Sequence, residues 1–376
     1  MKLSYSGFLV ILLISTFLFS CKNEKKTNLS KIIKPASSIK YAKGFDIQYF
    51  DNFKKLIIKA PYQNSTETFE FILTDTIAKN NLTTIKTPIK SIVVTSTTHI
   101  PMLELLNVEN KLVGFPNTNY ISSEKTSTLI SEGFVKELGH EESINTELLL
   151  DLNPDLVVGF SLNSNNKMFA TIEKLGIPVL LNGDWLEETP LGRAEWIKFF
   201  GVLFNKEKQA DNIFNEIEKS YLEAKNIALK SKVKPTIISG GLFKDIWNLP
   251  AGDSFEATFL KDANTHYLWE NSEGKGSLSL NIENVFEKGK DADIWISPSF
   301  YNSLEQLQKA NDIYSKFKAY QNKNIYTFVN KKGKKGGIIY FELAPTRPDL
   351  VLKDLIKIAH PELLKDYELS FYNKLK

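Results

Sequence analysis

The chain has 376 residues, of which 42% are hydrophobic and 24% charged, and 47 basic against 44 acidic side chains leave a formal net charge of +3. That balance excludes a disordered polymer, and with Lys and Glu interspersed it offers no basic face for nucleic acid. Cys21 is the single cysteine, so no disulfide closes within the chain and the fold rests on its core.

Lys2 precedes an apolar run that begins at Phe8 and ends at Phe19, and Ser20-Cys21 gives way abruptly to Lys22-Asn23-Glu24-Lys25-Lys26. A positive start, a short apolar core and a small residue before the cut describe a secretory signal over residues 1–20. The Ser20-Cys21 ending resembles the bacterial lipobox, which implies acylation of the Cys21 thiol. The other reading, an uncleaved anchor, meets a run shorter than the ~20 apolar residues that span a bilayer. The expectation is an extracytoplasmic chain, lipid-anchored on the periplasmic side or at the cell surface. Residues 21–40, rich in Lys, Asn and Ser, read as a flexible tether.

Residues 41–85 form the next unit. Phe45–Tyr49 and Lys55–Lys59 are strand-like, Thr68–Leu73 alternates, and Asp51-Asn52 and Gln63-Asn64-Ser65 supply turns, which predicts a small β-meander. From residue 86 to 190 the pattern becomes βα. Ser91–Thr95, Lys111–Phe115, Leu156–Gly159 and Ile177–Leu181 are strands. Helices fall between them, from Pro101 to Leu106, over Thr146–Leu150 and at Ile172–Leu175. Such alternation predicts a parallel sheet covered by helices.

Residues 191–232 contain no proline and repeat at helical spacing, through Trp196, Phe199, Phe200 and Leu203, then, after a break at Asn205, through Ala210, Phe214, Ile217, Tyr221 and Ala224. They predict a stiff helical spine. The βα pattern restarts over residues 233–376. Thr236–Ser239, Asp293–Ile296 and Ile325–Phe328 are strands, with helices at Phe255–Leu260 and Pro348–Ala359.

One element occurs in both βα regions. Asn145-Thr146-Glu147 opens a short helix that leads to Asp155 and the strand after it; Asn281-Ile282-Glu283 opens another that leads to Asp293 and its strand. Each Asn suits an N-cap, and a carboxylate in the first turn complements the positive helix end by ~0.3–1 kcal/mol. Repetition at matching places in two halves points beyond helix chemistry alone.

Pro88–Val94, Leu105–Gly114, Leu148–Val157, Arg347–Leu355 and His360-Pro361-Glu362 together resemble the iron-siderophore, cobalamin and haem class (class III) of periplasmic substrate-binding proteins of ABC importers, in lipoprotein form, over about residues 86–364. The resemblance implies an α/β fold of two Rossmann-like lobes with parallel sheets, joined by one long backbone helix, with a ligand cleft between them. The N-terminal β-meander is an addition to that plan. It further implies that Glu147 and Glu283 dock onto an ABC permease with its ATPase, that the chain acts as a monomer, and that it breaks no bond.

Ligands in open α/β sheets meet the loops at the carboxyl ends of strands. Those loops supply Thr97, Thr98 and His99, then Trp185, Trp247, Tyr267, Trp269, Phe300 and Tyr301, and finally Arg347 as ligand-binding candidates; Phe341 is a further large aromatic. Aromatic walls with a few polar groups suit a bulky apolar ligand. Arg193 and Arg347 are the only arginines, and a guanidinium grips a carboxylate bidentately. A single Arg at the last helix is too little cation for a tris-catecholate, which favours a less charged siderophore, haem or a corrinoid. His99 is a possible haem ligand.

No resident cofactor or protein-held metal is expected. Convergence of His99, His140 and His266 would instead make a free Zn or Mn carrier, and a surface scavenger or sensor with the same fold is another alternative. Catalytic motifs are lacking: Gly252-Asp253-Ser254-Phe255-Glu256 misses the final glycine of a nucleophile elbow, and the Gly-Gly pairs do not build a phosphate loop.

Overall fold

The computed structural model describes residues 38–76, 83–140 and 143–376. The expected signal, Cys21 and nearly all of the tether lie outside the described residues. Three antiparallel strands come first, β1 (Phe45–Tyr49), β2 (Lys54–Lys59) and β3 (Thr68–Thr74), and β4 (Thr84–Lys86) pairs with β3 in parallel. The expected meander therefore gains a parallel fourth strand, too short to leave a pattern in the sequence. Phe45, Ile47 and Tyr49 alternate inward along β1, as one covered face requires.

The first α/β sheet contains β5 (Ile92–Val94), β6 (Leu112–Phe115) and β7 (Lys136–Glu137). After a small hairpin of β8 (Gly139–His140) and β9 (Ser143–Ile144) come β10 (Leu156–Gly159) and β11 (Val179–Leu181). The order is β11-β10-β5-β6-β7, all parallel. Ile92, Val93, Val94, Leu156, Val157 and Val158 have no exposed surface, because helices cover both faces of the sheet.

The second half runs through β12 (Thr236–Ser239), β13 (Gly241–Phe243), β14 (Ile246–Pro250), β15 (His266–Tyr267), β16 (Ser277–Leu280), β17 (Ile294–Ile296), β18 (Ile325–Thr327) and β19 (Asn373–Lys374). Its main sheet has the order β15-β12-β17-β18-β19, parallel except for the edge strand β19, and β13-β14-β16 form a separate antiparallel sheet.

The repeated acids are brackets between neighbouring strands. Asp155 accepts the Lys90 and Ser91 N–H groups at 2.6 and 3.1 Å, and its own N–H donates to Ser91 Oγ at 3.0 Å. Asp293 accepts the Thr236 N–H and hydroxyl at 2.9 and 2.8 Å, and its N–H donates to Thr236 Oγ1 at 3.0 Å. Each bracket sets the start of one strand against its neighbour.

The spine is three consecutive helices rather than one rod: Pro190–Glu195, Ile197–Leu203 and Glu207–Ala228. The chain turns at Trp196, and again at Asn205, whose φ of 54° lies in the left-handed region that Asn tolerates. Along the longest helix, Ala210, Phe214 and Ile217 enter the core of the first half, whereas Tyr221, Ala224 and Ala228 enter that of the second.

Two buried carboxylates fasten the N-terminal segment to this spine. Glu195 accepts the N–H groups of Lys40, Tyr41 and Ala42 at 2.6–3.0 Å and pairs with Lys198 at 2.9 Å. Glu187 accepts the N–H groups of Lys43 and Gly44 and the Trp196 indole N–H at 2.9–3.0 Å. Glu195→Ala leaves the three N–H donors without their acceptor and takes from the buried Lys198 ammonium one of its two carboxylates, so we expect a loss of ~3–5 kcal/mol in urea unfolding; a loss under about 1 kcal/mol contradicts this account of the strap.

Candidate functional site

The loops after β5 and β10 and the end of β6 form one wall of a cleft whose other wall comes from the second half, through Phe255, Glu256, Lys275 and residues 336–341. Two cavities occupy it, one on either side of Phe341. The larger, about 420 Å³, is bounded by Thr97, Phe115, Tyr120 and Phe160 from the first half and by Gly336, Gly337 and Ile338 from the second. The smaller, about 320 Å³, is bounded by Thr98, by Arg193 of the spine, and by Phe255, Glu256, Lys275 and Tyr340. Phe341 borders both and is 46% exposed. Exposed Phe300 lies 6.4 Å from it, ring to ring.

The predicted candidates separate into groups. Thr97 and Thr98 line the cavities, and the Thr98 hydroxyl donates to Asp184 at 3.1 Å. Trp185 is half-buried and reaches the site through its carbonyl, which accepts from Arg193 Nη2 at 3.0 Å. Phe300 stands near the cleft, and Tyr301 packs edge-on against Tyr314 at 6.1 Å.

Trp247, Tyr267 and Trp269 are core residues, contrary to expectation. The stretch after Gly240 is not a loop but the hairpin β13–β14, whose alternation turns Trp247 inward to stack on Trp295 at 5.2 Å, with its N–H on the Ser239 carbonyl. Tyr267 donates its hydroxyl to the Pro250 carbonyl at 2.6 Å, and Trp269 is buried in the same cluster.

His99 also departs from its expected place. It is wholly enclosed, 5.4 Å from the Phe200 ring, with both ring nitrogens unpartnered, and burial pushes the imidazole down to about 3. In this arrangement it presents no ligand to the cleft. Arg347 is claimed by Asp349, with two parallel contacts of 2.9 Å, and Asp349 also accepts from Ser220 of the spine. It pins the last helix instead of gripping cargo.

The arginine at the cleft is Arg193. Its guanidinium lies 3.7 Å over the Phe255 ring and is held from behind by the carbonyls of Trp185 and Glu187. Asp184 supplies a nearby negative charge, and burial pushes that carboxyl up to about 6 against the pull of Arg193 and Thr98. The scarcity of arginine was the one sequence signal for Arg193; Tyr340 stood out as an aromatic just ahead of the last helix, and nothing local marked Glu256. Backbone strain gathers here too: Ser297 and Ser299, just past β17, both have φ of 55°, a conformation that collects at binding sites.

One edge of the cleft is clasped shut. Glu342, on the helix Ile339–Leu343, accepts the N–H groups of Ser122 and Ser123 from the opposite half at 2.7 and 2.9 Å. Gly333 and Gly337 lie against the backbone of residues 120–122 so closely that a Cβ would stand 2.3 Å from the Ser122 oxygen and 2.2 Å from the Tyr120 oxygen. Burial, with the Glu104 carboxylate adding repulsion, pushes Glu342 up to about 7 despite those two donors.

Glu147 and Glu283 are both exposed, each in the first turn of a helix capped by Asn145 or Asn281, and neither makes a hydrogen bond or ion pair among the described residues.

A family model described as periplasmic binding protein matches residues 92–331. The chain belongs to the periplasmic binding protein family. It is thus built as a solute-binding protein of the kind that serves ABC importers. An uncharacterized lipoprotein of Methanocaldococcus jannaschii is 26% identical over 412 aligned positions, covering 99% of this chain and 96% of its own. Among solved structures, a possible iron-binding (periplasmic solute-binding) protein of Staphylococcus epidermidis shares the fold with a TM-score of 0.57 at 18% identity, over 73% of this chain and 99% of that one. The periplasmic haem-binding protein of Vibrio cholerae does so with a TM-score of 0.54 at 18% identity, over 70% and 99%. The two-lobe periplasmic-binding-protein plan expected from the sequence is therefore present.

Two outcomes follow for stability. Trp247→Ala should cost ~3–5 kcal/mol in urea unfolding, whereas Phe341→Ala at the cleft should stay within about 0.5 kcal/mol; equal effects would remove the distinction between core and cleft rings. Glu342 binds its proton more tightly folded than unfolded, so its contribution is full below its ordinary value of 4.5 and is lost as pH rises toward about 7. Relative to Glu342→Gln, the native chain should lose on the order of 2–3 kcal/mol across that window; a constant difference between the two proteins speaks against it.

Proposed function

We propose that this periplasmic binding protein is an extracytoplasmic, lipid-anchored carrier that captures an iron complex, siderophore or haem, or a corrinoid between its lobes and hands it to an ABC permease. The observation that carries the reading is the cleft itself, walled by aromatic side chains from both halves, Phe115 and Phe160 at the ends of β6 and β10 and Phe255, Tyr340 and Phe341 on helices of the second half. Such a surface suits a bulky, largely apolar ligand fixed by few polar groups. Support for the cargo class comes from neighbours whose names state iron or haem binding, and for the anchor from relatives named lipoproteins. No helix among the described residues is long and apolar enough to cross a membrane.

On this reading, residues 86–190 and 233–376 are the two lobes, 191–232 the spine and 41–85 an added β extension, and the chain works as a monomer. Delivery falls to Glu147 and Glu283. Both carboxylates are open to solvent and unpaired, as docking onto cationic residues of a permease demands, and pairs of this kind set register and encounter rate more than affinity. The described residues do not favour a free Zn or Mn carrier. His140 turns to Asn117, His266 to Glu270, and His360 to the Ala263 and Asn264 carbonyls, and no cluster of three or more metal-ligating side chains gathers.

Titration of the protein with haem, ferric siderophores and cobalamins, read by tryptophan fluorescence and absorption, tests the cargo; binding of Zn or Mn alone overturns it. The double reversal Glu147→Lys/Glu283→Lys should reduce uptake by cells at least about tenfold while leaving affinity for the cargo unchanged. Unaltered uptake would leave the scavenger or sensor alternative in its place.

A further inference from the structure

The smaller cavity has charged groups at its edge, and all but one are already satisfied. Arg193 donates to two carbonyls, stacks on Phe255 and has Asp184 as counter-charge. Lys275 is paired with Glu188, which also takes Lys43 at 3.2 Å. Asp184 accepts from Thr98 at 3.1 Å. Glu256 remains. Among the described residues its carboxylate makes no hydrogen bond and no ion pair. It is the exposed residue of a turn in which Phe255 and Ala257 are buried, and its surface opens onto the cavity and onto a small recess behind it, beside Tyr340 in both.

The helix Phe255–Asp262 does not need this side chain as a cap, because Ser254 Oγ already accepts the Ala257 N–H at 3.1 Å. Protein surrounds the carboxyl closely enough to raise its proton affinity, and Arg193 offsets only part of that. The carboxylate is open to solvent on its cavity side and has no protein donor among the described residues, so a matching donor on the cargo takes the place of that water when the cleft is filled.

We infer that Glu256 is the recognition point for a cationic, hydrogen-bond-donating group on the ligand, an ammonium, received among the rings of Phe255, Tyr340 and Phe341. This rests on the cleft being the cargo site. The exposed Phe341 ring adds cation–π attraction, and the commitment of Arg193 to the Trp185 and Glu187 carbonyls, with Asp184 as nearby counter-charge, argues against the opposite choice, a ligand carboxylate held by arginine. A cargo with an amine-bearing arm is thereby favoured over one that presents only acids.

The full chain is titrated by NMR with 2-phenylethylammonium and with 3-phenylpropionate, two fragments of similar size and opposite charge. The ammonium should bind the native protein at least about tenfold more tightly, and Glu256→Gln should erase that preference. A propionate that binds as well as the ammonium overturns the inference on the native protein alone, with no variant needed. So does an ammonium affinity unchanged in Glu256→Gln, or no binding of either fragment. Cargo titrations separate this from the broader reading: ammonium binding that depends on Glu256, without affinity for any iron complex or corrinoid, removes the cargo class and keeps the subsite.

Discussion

The helix Glu207–Ala228 belongs to two hydrophobic cores at once. Phe214 and Ile217 are packed in the first, and Tyr221 and Ala224 in the second. Neither core closes without it, so the halves are coupled through the interior of one element and not through a surface contact. The final helix, Pro348–Ala359, lies along the same spine and is tied to it by Asp349 and Ser220. A joint of this kind holds the two sheets at a set spacing. That spacing, more than any single side chain, creates a groove wide enough for cargo and too deep to fill with side chains.

Two features join the halves beside that groove. The long helix packs into both cores, and Glu342 bridges one edge with two short hydrogen bonds to the backbone of the other half. A bond to a charged group in a buried setting is stronger than a neutral one, yet desolvation of the carboxylate works against it. The clasp is thus sensitive to the protonation state of one side chain, while the rest of the cleft, walled by Phe115, Phe160, Tyr340 and Phe341, responds to shape.

Much of the architecture was legible in the chain. β5 and β10 announced themselves because strands covered on both faces are continuously apolar, and the last helix was read to its ends from Pro348 and its spaced Leu and Val residues. Trp247 was misplaced because Gly240-Gly241 reads as a loop, while the two-residue Lys244-Asp245 turn that folds the stretch into a hairpin is a weak signal. The spine's interruption at Trp196 left no mark either, since tryptophan neither breaks nor caps helices. Contacts such as Glu342 with Ser122, 220 residues apart, have no local pattern at all. Of the cleft, the threonines after β5 and the aromatic character were foreseeable; the grip of the Trp185 and Glu187 carbonyls on Arg193 and the isolation of Glu256 among the described residues are properties of the assembled molecule.

The strap formed by residues 40–44 bears on mechanics. Its amides end on Glu187 and Glu195, and Lys198 holds the Ser38 carbonyl at 2.6 Å. Any drag on the chain ahead of Ser38 is therefore delivered to the waist of the molecule, where the two halves already share their skeleton. Under the lipid-anchored reading proposed above, a mooring at that point restrains travel without prying the jaws apart.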